Sequence, residues 1–312
     1  MNSIRTAMIA VVAGLLAAAC TLPTRHAPAP SEPVTVTHAF GSTTISATPK
    51  KVVTLGNQWL DTALALGVTP VGYIDDVASV SKRAAPWEPA SLESARALNT
   101  SGNITEQVAA LAPDLILVDS FLADRQSYDQ LSAVAPTLPA RTEAAVWQDQ
   151  VIALGRVLRK EDAATHVIAD VDAKVASIAQ ANPRLTGKTF VCAWLAGPAQ
   201  LIVLTDPDDG LGKVFTRLGL SIPQSLHADQ DTLALPPERI DELAADLLLA
   251  GYSPGMDEKY RQFPGYADLP AVRKGAVVFL TLQEFSAITQ PTALSEPYLL
   301  KKLEPAFANA AK

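Results

Sequence analysis

The spacing of hydrophobic positions changes several times along the chain, and each change marks an element. Val34–Thr37 and Thr43–Ser46 alternate apolar and polar residues about Gly41-Ser42, which predicts a β-hairpin. From Lys51 onward, short apolar runs alternate with stretches of helical spacing. Lys51–Leu55, Pro70–Ile74 and Asp114–Val118 read as strands, while Asp61–Leu66, closed by Gly67, and Ile104–Leu111 read as helices. Short runs without polar alternation are what parallel strands covered on both faces require. Residues 143–159 and 161–181 both have helical spacing. The second puts Ala164, Val167, Ile168, Val171, Val175 and Ile178 on one face and meets no Gly or Pro before Pro183. Such a stretch forms a rod of roughly 30 Å. Alternation then resumes through Thr189–Trp194, Gly210–Leu218, Arg239–Leu243, Asp246–Leu249, Ala276–Thr281 and a helix from Glu296.

The two halves repeat each other. Thr105–Leu117 aligns with Pro237–Leu249: each has a glutamate at a helix start (Glu106, Glu238), a short helix and a buried strand. Leu66-Gly67 and Leu218-Gly219 end a helix upstream of each. The predicted fold is α/β: two similar lobes, each a mostly parallel sheet covered by helices, joined by one long rigid helix. The expected divisions are a signal peptide at 1–19, a tether at 20–33, an N-terminal lobe at 34–160, the interlobe helix at 161–182 and a C-terminal lobe at 183–312.

The first residues change the picture by giving the chain an address. Arg5 precedes an apolar stretch, Ala7–Ala19, that is shorter than the roughly 20 residues needed to span a bilayer, so it reads as a signal peptide. Leu15-Leu16-Ala17-Ala18-Ala19-Cys20 reads as a bacterial lipobox with Cys20 as the lipidated residue. It departs from the usual pattern in having Ala17, with Leu16 one place further back. Cleavage without lipidation is the alternative. Residues 21–33 carry Pro23, Pro28, Pro30 and Pro33, an extended tether reaching roughly 40 Å.

Charge and cysteine content then exclude classes. Lys+Arg number 25 against 32 Asp+Glu, a net charge of −7, which argues against nucleic-acid binding. Cys192 is the single cysteine after Cys20, so the folded part has no internal disulfide; its strand-like setting predicts an inert buried thiol. Gly251-Tyr252-Ser253-Pro254-Gly255 matches a nucleophile elbow, but Pro254 has no N–H for an oxyanion hole. All four histidines also precede the serine. No catalytic residue is assigned, and the histidines are too dispersed for a metal site, so no metal ligand is assigned either.

Phe40-Gly41, Pro49-Lys50-Lys51-Val52-Val53-Thr54-Leu55, Leu64-Ala65-Leu66-Gly67-Val68-Thr69-Pro70-Val71-Gly72, Leu111-Ala112-Pro113-Asp114-Leu115-Ile116, Tyr128 with Leu131–Thr137, Pro270-Ala271-Val272-Arg273-Lys274-Gly275 and Ser295 with Tyr298-Leu299-Leu300 occur in one order. With them the chain resembles the class III substrate-binding proteins of ferric-siderophore, haem and cobalamin ABC importers, most like those of actinobacteria. The resemblance covers essentially the whole mature chain. It implies a non-enzymatic, monomeric receptor, anchored outside the cytoplasm at the cell membrane by lipidated Cys20. The ligand, an iron(III) chelate rather than a cofactor, lies in the cleft between the lobes. The partners it implies are a ferric siderophore and a permease dimer with its ATPase subunits. Residues 161–181 match the family's joining helix, and Glu106 and Glu238 match glutamates that dock against permease arginines. Haem or cobalamin remain alternative ligands, and a structural envelope lipoprotein is an alternative of another class.

In α/β lobes, ligands lie beyond the carboxyl ends of the parallel strands. Reading those loops gives Trp59, Tyr73, Phe121, Trp194, Tyr252 and Phe285 as candidate ligand contacts, with Lys82, Arg83 and Trp87 on an inserted loop. Aromatic faces stack on a bulky chelate, and cations balance its charge. Arg217 is a further candidate cation for a tricatecholate complex. Trp147, within a helical pattern, reads as core.

Overall fold

Two five-stranded sheets, one in each half of the chain, organise the computed structural model, which describes residues 32–140, 147–227 and 230–312. The expected signal peptide, Cys20 and the tether as far as residue 31 lie outside the described residues. A hairpin comes first, β1 (Val34–His38) against β2 (Gly41–Ile45), with Val36 opposite Thr43.

The N-terminal sheet contains β3 (Val52–Leu55), β4 (Gly72–Ile74), β5 (Arg96–Ala97), β6 (Leu115–Val118) and β7 (Thr137–Pro139). All four pairings are parallel, in the order β5-β4-β3-β6-β7. The crossovers carry α1 (Asn57–Ala65), α2 (Asp76–Ser81), α3 (Ile104–Ala109) and α4 (Arg125–Ser132), and α5 (Trp147–Leu158) follows β7. β3 and β6 are buried at every position, as the apolar run of β6 and the β-branched run of β3 predict, Thr54 of β3 included.

After α6 (Glu161–Ala181), the C-terminal sheet contains β8 (Phe190–Gly197), β9 (Gln200–Leu204), β10 (Thr232–Leu235), β11 (Leu247–Tyr252) and β12 (Val277–Leu280). Its order is β10-β9-β8-β11-β12. β8, β11 and β12 are parallel, but β9 is antiparallel to both its neighbours. This sheet is therefore mixed, where a mostly parallel one was expected. The cause is local: β8 turns back directly into β9 at Gly197–Gln200, leaving no room for a crossover helix. The remaining helices are α7 (Gly212–Arg217), α8 (Asp257–Gln262), α9 (Pro270–Lys274), α10 (Leu282–Thr289) and α11 (Ser295–Ala310).

The internal repeat corresponds to real structural equivalence. In each half the segment that aligns is a short helical turn followed by a strand, β6 or β11, lying parallel beside the central strand, β3 or β8. The spacing of α6 also has a clear outcome. Ala164 and Val171 join the N-terminal core with Leu117 and Trp147, while Val175 and Ile178 join the C-terminal core with Phe190 and Phe215. Burying one such Val or Ile side chain stabilises by about 1.5–3 kcal/mol. Bending α6 would unpack both cores, so it acts as a strut.

Candidate functional site

The N-terminal face of the site begins where β3 ends. In the order β5-β4-β3-β6-β7 the chain reverses its direction of travel between β3 and β6, which opens a crevice at their carboxyl ends. Here a carboxylate fills it. Asp119, following β6, accepts hydrogen bonds from the Gln58 N–H (2.9 Å) and the Trp59 N–H (3.3 Å), capping α1. Gly56 makes this possible: its φ is 124°, and a Cβ there would lie 2.2 Å from the Asp119 Oδ2. Burial pushes Asp119 up to about 8, against the pull of the two N–H groups.

That cap corrects one expectation. α1 begins at Asn57 rather than Asp61, so Trp59 lies in its first turn and not on a loop. Trp59 is 3% exposed, packed with Ile45, Val52 and Trp147, and is a core residue rather than a ligand contact. Trp147 is also buried, and its indole N–H reaches Glu296 of α11 at 2.7 Å.

Two helices close one side of the space between the lobes. α10 starts with a capping box, in which Thr281 and Glu284 satisfy each other's backbone N–H. Lys302 and the Tyr298 hydroxyl of α11 both donate to Glu284 and fix it further. Flanking Glu284, Gln283 faces α2, and Phe285 faces the sheet. Gln283, 5% exposed, donates to the Ser81 hydroxyl (2.8 Å) and to the Arg83 carbonyl (2.9 Å) across the lobe boundary.

Beside it is a narrow crevice of about 20 Å³, lined by Asn57, Asp61 and Trp87 from one lobe and by Gln283, Thr292 and Ser295 from the other. Asp61, 2% exposed, accepts from the Trp87 indole N–H (2.8 Å) and the Thr292 hydroxyl (2.5 Å). Burial pushes its pKa up to about 7. Trp87 packs against the C-terminal core, its ring 5.5 Å from that of Tyr298. It is thus an interlobe contact as well as a wall of the crevice.

The C-terminal face is aromatic. Trp194 and Phe285, both half-buried, pack together with ring centroids 4.8 Å apart and planes tilted by 48°, over Gly251, the register partner of Trp194. A Cβ on Gly251 would lie 2.2 Å from the Phe285 ring and 2.6 Å from that of Trp194. Tyr252 ends β11 with its ring 6.3 Å from Phe279, and the Arg261 guanidinium lies 4.1 Å over the Phe279 ring. Burial, with Asp257 and Glu284, pushes the Tyr252 hydroxyl up, while the Arg83 and Arg261 charges pull it back. Trp194, Tyr252 and Phe285 thus lie on the C-terminal side, while Arg83 and Trp87 reach that side from the other lobe, Arg83 through Gln283 and Trp87 through Tyr298.

The family model for periplasmic binding proteins matches residues 52–283. The chain belongs to the periplasmic binding protein family. It is 32% identical over 227 residues to the probable siderophore-binding lipoprotein YfiY of Bacillus subtilis, covering 69% of this chain and 67% of that protein. It is 27% identical over 279 residues to the ferric enterobactin-binding periplasmic protein FepB of Escherichia coli, covering 81% and 85% of the two chains. A periplasmic solute binding protein of Mycobacterium smegmatis shares 28% identity and superposes with a TM-score of 0.74 over 90% of this chain and 99% of that one. Staphylococcus aureus SirA, complexed with staphyloferrin B, has the same fold at a TM-score of 0.70, covering 88% and 98% of the two chains at 23% identity.

In this binding-protein frame, the remaining expected residues are scattered. Phe121 is 55% exposed after β6, at the carboxyl end of the N-terminal sheet. Tyr73 lies inside β4 rather than after it and packs on Leu60, Leu64 and Leu92. Burial, with Glu88 and Asp75, pushes its hydroxyl up. Lys82 donates to the Ser79 carbonyl at 2.6 Å, closing α2. Arg217 pairs with Asp172 of α6 at 2.9 Å on an exposed surface, so it is not the cleft cation considered from the sequence. Arg261 and Phe279 were missed, and their pairing depends on two segments that only the fold brings together.

Glu106 and Glu238 are both exposed, and neither is in an ion pair among the described residues. Each lies just beyond the edge strand of its sheet, β5 or β10. Glu106 occupies the first turn of α3 behind the Asn103 cap, where the helix dipole favours a carboxylate, but Glu238 lies in a 3₁₀ turn broken at Arg239. The Ser253 hydroxyl donates to the Ala196 carbonyl at 3.2 Å. Cys192 is buried, which pushes its thiol pKa up.

Proposed function

We propose that this chain captures a ferric siderophore between its lobes and delivers it to an ABC permease for iron uptake. The observation that carries the reading is the interlobe space itself. The tilted Trp194–Phe285 pair and Tyr252 lie on one lobe, and Arg83 and Trp87 of the other contact that lobe through Gln283 and Tyr298. Aromatic faces and guanidinium groups with little covalent reactivity suit capture of a bulky chelate rather than its transformation. The names of YfiY and FepB support the same ligand class. The proposed contacts are Tyr73, Arg83, Trp87, Phe121, Trp194, Tyr252 and Phe285, joined by Phe279 and Arg261.

The rest of the cycle is part of the same proposal. A monomer is held at the cell membrane through lipidated Cys20, and Glu106 and Glu238 dock against arginines of a permease dimer driven by its ATPase subunits. Exposed ion pairs contribute about 0–1 kcal/mol each, so they would orient the complex more than supply its affinity. The lobe boundaries, with α6 as the joining element, belong to this reading too.

The test is quenching of the intrinsic fluorescence of the four tryptophans by ferric tricatecholate, ferric trihydroxamate, haem and cobalamin. Saturable quenching by a ferric siderophore, weakened in Trp194→Ala and Phe285→Ala, is the expected result. Saturation by haem or cobalamin alone would replace the ligand, and no saturation by any of the four would overturn the function.

A further inference from the structure

Gln283 belongs to neither the aromatic face nor any candidate set read from the sequence, yet its placement is among the most constrained in the cleft. Its neighbour Glu284 is held by Thr281, Tyr298 and Lys302, so the first turn of α10 is fixed on three sides. From that fixed turn Gln283 reaches into the other lobe. Its amide group donates to the Ser81 hydroxyl and to the Arg83 carbonyl, on either side of Lys82. Lys82 is in the left-handed region at φ 58°, a sharp turn for a residue with a Cβ. The chain leaves α2 through that turn and returns to the interface at Trp87, which is held by Asp61 and Tyr298. Residues 81–87 thus form a strap pinned at both ends. Arg83 is held at the first pin by its carbonyl and is exposed, with no carboxylate in ion-pair contact among the described residues. Its charge acts on the hydroxyl of Tyr252 across the cleft.

We propose that Gln283 is a positioning residue for ligand capture: by holding the Arg83 backbone from the opposite lobe, it aims the Arg83 guanidinium at an anionic iron(III) chelate seated beside Tyr252. The inference rests on the ferric-siderophore reading and adds the charge class that the site selects. A guanidinium gains most from a ligand with exposed negative oxygens and little from a neutral complex. A glutamine that acts only by fixing the guanidinium therefore matters only for charged ligands, and only while Arg83 is present.

A double-mutant cycle reads this directly. Dissociation constants for a ferric tricatecholate and a neutral ferric trihydroxamate are measured on the wild type, Gln283→Met, Arg83→Ala and the double variant, with melting temperatures recorded alongside. Gln283→Glu, which keeps the length but replaces the donors with acceptors, serves as a second probe. The expected result is a loss of about five- to tenfold in tricatecholate affinity for each single variant, no further loss in the double variant and no change for the trihydroxamate. Additive losses, or equal losses for both chelates, would show that Gln283 merely holds the lobes together and would overturn the proposal. If the wild type binds the trihydroxamate alone, the siderophore reading stands and the charge selection falls. If it binds neither chelate, the functional reading itself falls, and the role of Gln283 with it.

Discussion

Gly56 and Gly251 do the same steric job on opposite faces of the cleft, and what each admits differs. Beside Gly56 the missing Cβ makes room for the Asp119 carboxylate, which caps α1. Beside Gly251 it makes room for the tilted Trp194–Phe285 pair. The N-terminal face is consequently polar, with Asp61, Asp75, Asp76, Glu88 and Asp119 drawn into its hydrogen-bond network or close around it. The C-terminal face is aromatic, with Arg261 laid over Phe279. One face spends its side chains on holding helices and lobes in place. The other leaves ring surface half-exposed, where a ligand can use it.

The hardest blow to this contrast is a side chain at either glycine. Gly251→Val should destabilise the fold by about 3 kcal/mol, because the displaced atoms belong to two large rings in a packed site. Gly56→Ala should cost a similar amount, through the left-handed backbone and the loss of the α1 cap together. Thermal melts check both, and unchanged melting temperatures would mean that the close approaches are not needed.

A milder separation uses Phe285→Ala. It should weaken chelate binding about tenfold while leaving the N-terminal face intact. Calorimetric titration provides the affinity, and a fall in stability without a fall in affinity would move Phe285 from the ligand to the core.

Smaller still is a pH effect confined to the polar face. The carboxyl pKa of Asp61 rises on folding from 3.8 to about 7, so the folded state holds a proton that the unfolded state has released. Its contribution is fully present below the ordinary carboxylate range and is lost as pH rises through about 7. Asp61→Asn keeps an oxygen for Trp87 and Thr292 but cannot titrate. The wild type should therefore lose stability relative to this variant on going from acid to neutral pH, by a few degrees in melting temperature. Parallel pH profiles for the two proteins would contradict this.

The least effect on the isolated protein is expected from Glu106→Arg combined with Glu238→Arg. Stability should change by no more than about 0.5 kcal/mol and chelate affinity not at all, while iron uptake in cells should be lost. A fall in chelate affinity would place these glutamates at the cleft instead of the permease surface.

What could be read from the chain follows from how local each cause is. The strands β6 and β11 are apolar runs and β3 is a β-branched one, and α6 carries its stripe for two cores within one stretch of sequence, so all are legible. The start of α1 is not, because its cap comes from Asp119, 61 residues beyond Gln58. That single long-range contact turned Trp59 from an expected cleft residue into core. Tyr252 does close its strand, β11, as its position in the sequence suggests, whereas Trp194 lies inside β8, which runs on to Gly197, and Phe285 lies inside α10. β10 is an edge strand and β9 lies between it and β8, and their antiparallel pairing depends on each other and on β8. Arg261 and Gln283 carry no signal of their own; each matters through a partner brought near by the fold.

The shared helix α6 also bears on how the molecule reaches its native state. Val175 and Ile178 lie on the same element as Ala164 and Val171, but the buried residues of the core they join come later in the chain. A chain emerging amino-terminus first would complete its first half with an apolar stripe still bare on the last turns of α6. Neither half can then settle independently, and heating should show a single melting transition in calorimetry rather than two.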